Sequence, residues 1–574
     1  MYRNRKGFTI VELVIVIAVI AILAAVLIPT FSSLTQRANL NSDMQAVRQM
    51  NMALQNDEAL NGKCTTIDQA MQVIANAGYD VDNQWTCLTE GYQVYWNKTD
   101  NRCVLYNSTT AKVEYPKDYT GADIIADAGN YFIYNQTFKS AINADLGFSS
   151  QGSVVVTEGV GFTSNSAADV QVTLGSNNVT ISKDVMKGFA SMGIVDSAKL
   201  YGYSSMEQEF GSAKVSVDKY AIYNSSDAFT SDGERPNIYY ISVTKSDNAA
   251  DTKSAQQTAG KTVYDVFQQM NNNMVANDAN VILAPGTEIN IEHLDWKPVK
   301  LFEGYFGTPD PENPVKINGL DLNSTVAYME SHQFIGSESK YYLTGFIAAV
   351  TGGTENEPVV IENVTFENVK IVRPVTDYSL VKSGYDSNTT AIIGGIVSTP
   401  EKTNVNVTLR NVDVVNSSVH GKARTGGLIG YIGGQAGVPG ISAEVPFSGV
   451  VTIEGCDVEC DVTTDMDGSY GTVGGIVGFF NKFYKGTPTI NITDCSYKGA
   501  LKGTYVGGLC GELNEQTGTF NITRFTANVT EHSFVGNSGF YHELIGGRYY
   551  FGGSEYYKDT TRGITLNITP ALNV

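Results

Sequence analysis

Phe8-Thr9-Ile10-Val11-Glu12-Leu13 puts one carboxylate into an otherwise apolar run that reaches Ile28, directly after the basic stretch Arg3-Asn4-Arg5-Lys6-Gly7. A charged side chain near a bilayer centre costs on the order of 2.5–3.5 kcal/mol, so Glu12 calls for a partner of opposite sign. As a helix, Phe8 to Ile28 rises roughly 30 Å, about the thickness of a hydrocarbon core. The cations before it are expected on the cytoplasmic side. A secretory signal has a shorter apolar core that ends at a small-residue cleavage site. Neither that nor a plain anchor accounts for a glutamate five residues after Gly7.

The other groups with chemistry to offer are seven cysteines and five histidines. Cys64, Cys87 and Cys103 allow one disulfide and one spare thiol in an oxidising space, with the pairing open. Cys456 and Cys495 hold equivalent places in Ile453-Glu454-Gly455-Cys456 and Ile492-Thr493-Asp494-Cys495. They are expected side by side, as a buried thiol ladder or as a disulfide. No metal is expected: Cys456-x-x-x-Cys460 lacks a His or a second Cys pair at ligand spacing, and no Asp-x-Asp-x-Asp-Gly calcium loop is present. Histidines 293, 332, 420, 532 and 542 are scattered. There is no Gly-x-Ser-x-Gly elbow, His-Glu-x-x-His pair or phosphate loop. No catalytic residue and no cofactor is expected, although paired carboxylates for glycoside cleavage meet only in three dimensions. The balance of 39 basic against 59 acidic residues gives a net charge of −20, or −23 without Arg3, Arg5 and Lys6. With no Lys/Arg run after the apolar segment, nucleic acid is excluded as a partner.

The octapeptide Lys6-Gly7-Phe8-Thr9-Ile10-Val11-Glu12-Leu13 resembles the processing and assembly signature of type IV pilins and pseudopilins. The resemblance implies a leader, residues 1–7, cut between Gly7 and Phe8 by a prepilin peptidase, and methylation of the new amino terminus at Phe8. It also implies that Phe8 and Glu12 direct assembly, the Glu12 carboxylate meeting the amino terminus of a neighbouring pilin-like subunit. Two groups that are each costly in lipid or in a packed bundle become tolerable when they neutralise one another.

Residues 8–28 are thus read as a transmembrane and filament-core helix, with Pro29 as a kink. Phe31, Leu34, Ala38, Met44, Val47, Met50 and Leu54 recur at mostly three- and four-residue intervals and predict an amphipathic continuation. Thr66 and Gln69 form a candidate capping box before a short helix over Ile67 to Ala77. Tyr92 to Trp96 and Cys103 to Tyr106 read as a hairpin. Residues 29–115 resemble a small pilin-like head, an α+β module of long helix and small sheet.

The rest of the chain reads as mainly β. Gly, Asn, Thr, Val and Ile are in excess, and only 17% of the 574 residues are charged. Gly426-Gly427-Leu428-Ile429-Gly430, Gly474-Gly475-Ile476-Val477-Gly478 and Gly507-Gly508-Leu509-Cys510-Gly511 repeat one unit, with Gly394-Gly395-Ile396-Val397 as a weaker copy. Strand-like partners such as Val407 to Val412 and Ile490 to Cys495 lie between them, the mark of stacked repeats. These units resemble GLUG-type repeats of bacterial surface proteins, which implies a right-handed parallel β-helix over 261–574. Val263 to Met270 is expected to cover its first turn. Residues 116–260 are expected to be β-rich, as a separate sandwich or an irregular first section. Lys245 to Lys261 is expected to be a linker on composition.

Two classes of function are compatible with this reading. The first is a minor or tip-located type IV pilin-like subunit displaying an adhesin-like head toward a carbohydrate or surface protein. The second is a type II secretion-type pseudopilin or a surface-anchored carbohydrate-active enzyme. Both imply a single-pass membrane protein before assembly and an extracellular filament or cell-surface position afterwards.

Overall fold

The computed structural model describes residues 10–64, 67–79, 87–89, 92–107, 112–117, 119, 130–133, 153–163, 167–192, 198–224, 236–271, 274–294, 296–322, 343–372, 389–399, 401–434, 445–468, 471–481, 486–513, 517–536, 539–546 and 564–569. The chain divides into two compact units, Met1–Lys139 and Ser140–Val574.

In the first unit, helix α1, Ile10–Asn61, runs for 52 residues without a break, Pro29 included. Its later turns bury Asp43, Ala46, Val47, Met50 and Leu54. Ala38, expected on that face, is exposed. Helix α2, Ile67–Asn76, adds Ala70, Met71 and Ile74 to the same core. Thr66 of the expected capping box lies outside the described residues. The hairpin Tyr92–Asn97 and Arg102–Asn107 forms in the register Trp96↔Cys103. The strands Lys112–Tyr115 and Asn130–Ile133 flank it, so the small sheet extends beyond residue 115. Polar clamps tie the sheet to the helix. Asn51 donates to the Cys103 carbonyl at 2.9 Å and accepts from the Cys103 amide. At the hairpin turn, Asn101 has a φ of 50° and donates to Glu58 at 3.0 Å.

The second unit starts antiparallel. Val154–Phe162, Ala198–Phe210, Ala213–Asn224 and Ile238–Thr244 pair in sequence. Ile238–Thr244 then takes Asn280–Leu283 as a parallel neighbour, Tyr239 opposite Val281. These antiparallel strands and the first parallel ones therefore belong to a single sheet, which carries the chain across residue 260 from one kind of pairing into the other. Helix α3, Lys183–Ser191, packs Val185, Met186 and Phe189 against Ile282 and Tyr305 of that sheet.

Helix α4, Ala249–Asn271, stands where a linker was expected at Lys245 to Lys261. Its small polar residues mislead on composition. Ala250, Ala255 and Ala259 are fully buried, and Thr258 and Thr262 return their hydroxyls to the carbonyls one turn back at 2.6 and 2.9 Å. At Gly260 a Cβ would come within 2.4 Å of the Asn290 carbonyl oxygen, so the smooth face permits close packing. The second half meets the first parallel strands, as expected for Val263 to Met270. Phe267 sits among Trp296, Phe302, Phe306 and Phe346, and Trp296 stacks on Phe346 at 4.4 Å.

Beyond α4 each repeat lays strands on three sheets. The long sheet carries one buried column in register from Ile361 through Leu409, Ile453 and Ile492 to Ile522. A six-stranded sheet runs from Leu343–Thr344 to Phe540–His542, and a five-stranded sheet from Ile347–Val350 to Cys510–Leu513, both parallel. The glycine pairs lie at the corner between these two. A Cβ on Gly427, Gly475 or Gly508 would meet the carbonyl oxygen of Gly475, Gly508 or Glu543 in the next repeat at 2.2–2.3 Å.

The weaker copy at Gly394-Gly395 is out of phase. Ile393 pairs with Ile429, which brings Gly394 level with Gly430 and leaves Ala391 near the corner. The last described repeat has His542-Glu543 in place of the glycine pair, in register after Tyr505-Val506-Gly507. Another column falls at a turn in left-handed backbone: Asn363, Asn411, Gly455, Asp494 and Arg524, with φ between 49° and 64°.

Gly475→Ala is expected to destabilise the protein by about 3 kcal/mol through overpacking against backbone. Gly161→Ala, where nothing lies within 4 Å of the new Cβ, should stay within about 0.5 kcal/mol of the parent. Guanidinium unfolding of both variants checks the contrast.

Candidate assembly and display sites

Gly7 and Phe8 lie outside the described residues, and Glu12 is the third residue of α1. The backbone from Ile10 to Ile28 is helical. The described side chains of α1 begin at Gln36, and among the described residues no helix is long and apolar enough to cross a membrane.

The structure gathers the three cysteines of the first unit into one cluster. Cys64 and Cys103 are buried with Met50, Leu54 and Trp96, and Cys87 packs against the same group. All seven cysteines of the chain are free thiols. Burial, with Asp57 and Glu58 nearby, raises the Cys64 thiol, and burial raises Cys87 and Cys103 further. Cys456 and Cys495 are neighbours in stacked repeats, flanked by the register pairs Glu454↔Thr493 and Asp457↔Ser496. Cys495 donates to the Ile453 and Thr493 carbonyls at 3.5 and 3.2 Å. Burial and the adjoining Cys495 push the Cys456 thiol up.

On the outer side of the long sheet, ion pairs run from repeat to repeat. Glu362, 2% exposed, accepts from the Tyr305 hydroxyl at 3.0 Å and from Arg410 at 2.7 Å. Arg410 reaches on to Glu454 at 3.4 Å. Two carboxylates that sequence alone does not bring together thus share one guanidinium. Lys498 pairs with Glu459 at 2.8 Å, Lys316 with Glu367 at 2.9 Å, and Arg524 with Asp494. His420 holds Thr463 at 2.7 Å and Asp465 at 2.9 Å. Among the described residues no three His, Cys, Asp or Glu side chains group as a metal site. The ion-pair columns escaped sequence reading because their spacing follows the irregular repeat. The αL asparagines carried a signal, since Asn363 and Asn411 hold the same place in Glu-Asn-Val and Arg-Asn-Val.

Comparison with known proteins is consistent with the first unit's geometry. Residues 2–28 match the model of the prokaryotic N-terminal methylation motif. A stretch of 37 residues is 68% identical to the type IV wide pilus major component PilA4 of Thermus thermophilus, covering 6% of this chain and 28% of that protein. A stretch of 130 residues is 27% identical to the type IV major fimbrial protein FimA of Dichelobacter nodosus, covering 23% of this chain and 79% of that protein. No solved structure matches the chain. The amino-terminal part is therefore homologous to type IV pilins and carries their methylation motif. A large, mainly β region with parallel sheets follows it.

Buried protonated groups give the molecule an alkaline limit. Burial raises the hydroxyls of Tyr240, Tyr305 and Tyr497 and the thiols of Cys103, Cys460 and Cys510. Burial, aided by Asp218, pushes Tyr203 up to about 12. In the unfolded chain these groups release their protons near pH ~8.5 for thiols and ~10 for tyrosines, whereas the folded chain retains them. Their stability contribution is complete below those values and is lost as pH rises toward the folded-state values. Guanidinium midpoints should fall steadily from about pH 9 to 11, with tyrosinate absorbance at 295 nm appearing together with unfolding. A constant midpoint across that range contradicts this.

Proposed function

We propose that the chain is a minor or tip-located type IV pilin-like subunit that displays a large β-helical, adhesin-like head on the cell surface. The observation that carries the reading is the methylation motif at residues 2–28 leading directly into the 52-residue helix that packs a small sheet. In this reading a prepilin peptidase cuts between Gly7 and Phe8, and Phe8 is methylated. The subunit waits in the membrane through residues 8–28 and then joins other pilin-like subunits by pairing Glu12 with a neighbour's amino terminus. The parallel sheets form a right-handed β-helix of GLUG-type repeats, and the head binds rather than turns over a surface carbohydrate or protein.

The bulk of the head argues for position. The second unit, Ser140–Val574, is far larger than the first, and a homopolymer packed by α1 would have to carry one such unit per subunit. Glu12→Val is expected to leave leader cleavage intact, read by mass, while cutting incorporation into sheared filaments at least tenfold. Immunogold against residues 140–574 should mark filament tips or sparse sites. Even labelling along every filament contradicts the placement.

A further inference from the structure

The last repeats carry a regular array that the ion pairs and the core leave unused. Thr489-Ile490-Asn491-Ile492-Thr493 and Thr519-Phe520-Asn521-Ile522-Thr523 stack residue on residue, and Asn567-Ile568-Thr569 continues the register. Ile490, Ile492, Phe520 and Ile522 are buried, which turns the alternate residues outward. The outward set is a column of Thr489 and Thr519, a column of Asn491, Asn521 and Asn567, and a column of Thr493, Thr523 and Thr569. Columns stand about 6.7 Å apart along the strands and rows about 4.8 Å apart across them.

The central column is fixed in place. Asn521 donates to Asn491 at 2.8 Å, and Asn567 donates to Asn521 at 2.7 Å. Each of these bonds uses one of the donor amide's two N–H groups, and each hydroxyl in the outer columns can both donate and accept. No residue of the array is charged or aromatic, and the neighbouring Asp494 and Arg524 neutralise each other. An anionic ligand would meet a chain of net charge −20 without a cation in the array to receive it.

We propose that this array is a binding face for a neutral polyhydroxyl polymer, a polysaccharide chain laid flat across the rows. The inference rests on the display reading above and names the ligand class for it. A single sugar would cover only a few residues of the array and bury little area on it. An extended chain engages successive rows, and a rigid, pre-oriented array binds it with little ordering cost. Thr and Asn hydroxyl and amide groups match the donors and acceptors of sugar hydroxyls.

The test is a depletion assay of the purified full-length chain on a panel of insoluble neutral polysaccharides, including microcrystalline cellulose and chitin, beside heparin beads and ice. The comparison variant is Thr493→Val with Thr523→Val, which keeps β-branched shape and removes two hydroxyls; thermal unfolding of both chains monitors the fold. Asn521→Leu is the second variant. Binding to at least one neutral polysaccharide, weakened tenfold or more in a variant that unfolds with the parent, supports the proposal. Equal binding by both folded variants, retention only on heparin or only by ice, or no binding to any neutral polysaccharide overturns it. Adhesion by cells bearing the double variant separates the two readings: full adhesion leaves the display role standing and removes the array from it.

Discussion

Everything in the larger unit depends on consecutive repeats approaching closely enough to exchange backbone hydrogen bonds in register. Sheet neighbours lie about 4.8 Å apart, and that distance leaves no room for a side chain pointing along the stack at a corner. The glycine pairs at 426–427, 474–475 and 507–508 meet this requirement directly, since an added Cβ would strike the neighbouring carbonyl. Once the corners close, the remaining choices are constrained. Ile and Leu fill the inside column from Ile361 to Ile522, and Asn, Asp or Gly take the left-handed turn in most repeats. Opposite charges meet outside at the repeat spacing, as in the chain of Glu362, Arg410 and Glu454.

Much of this was legible in the sequence where a residue type is forced. The octapeptide around Glu12 pointed to the assembly end, and the hairpin at Tyr92 to Tyr106 is in place. Cys456 and Cys495 stack as their matched contexts implied. Reading failed where the constraint is permissive. The first half of helix α4 hides behind Ala, Ser, Thr and Gln because it buries a small, close-packed face rather than a stripe of large apolar residues. The strand Ala198–Phe210 carries little signal of its own: its apolar alternation fades into Ser, Glu and Gln toward the end. Gly394-Gly395 reads as a weaker copy of the repeated unit because a glycine pair looks the same wherever it falls. Only the pairing of Ile393 with Ile429 fixes its phase. Irregular spacing had a local cause, since the longer interval between Gly427 and Gly475 comes from two longer connections, Gly434 to Val450 and Thr464 to Thr472.

The two units are built on different physics. The first relies on a long helix whose apolar start carries one carboxylate, and on polar clamps such as Asn51 to Cys103 that hold a small sheet against it. The second gains stability by repetition, each repeat contacting its neighbours, so its length can vary without altering the first unit. The stack also begins and ends differently. Aromatic packing around Phe267 covers its start, and the substitution of His542-Glu543 for the glycine pair marks its last described repeat.

The most direct test of in-register stacking is a distance between two outward positions several repeats apart. Thr408 and Asn567 are joined through Thr452, Asn491 and Asn521 by four register steps. In a Cys87→Ser background, spin labels at Thr408→Cys and Asn567→Cys should give a narrow distance distribution centred near 19 Å, about four steps of 4.8 Å. A broad distribution, or one centred beyond about 30 Å, would contradict stacking at that spacing.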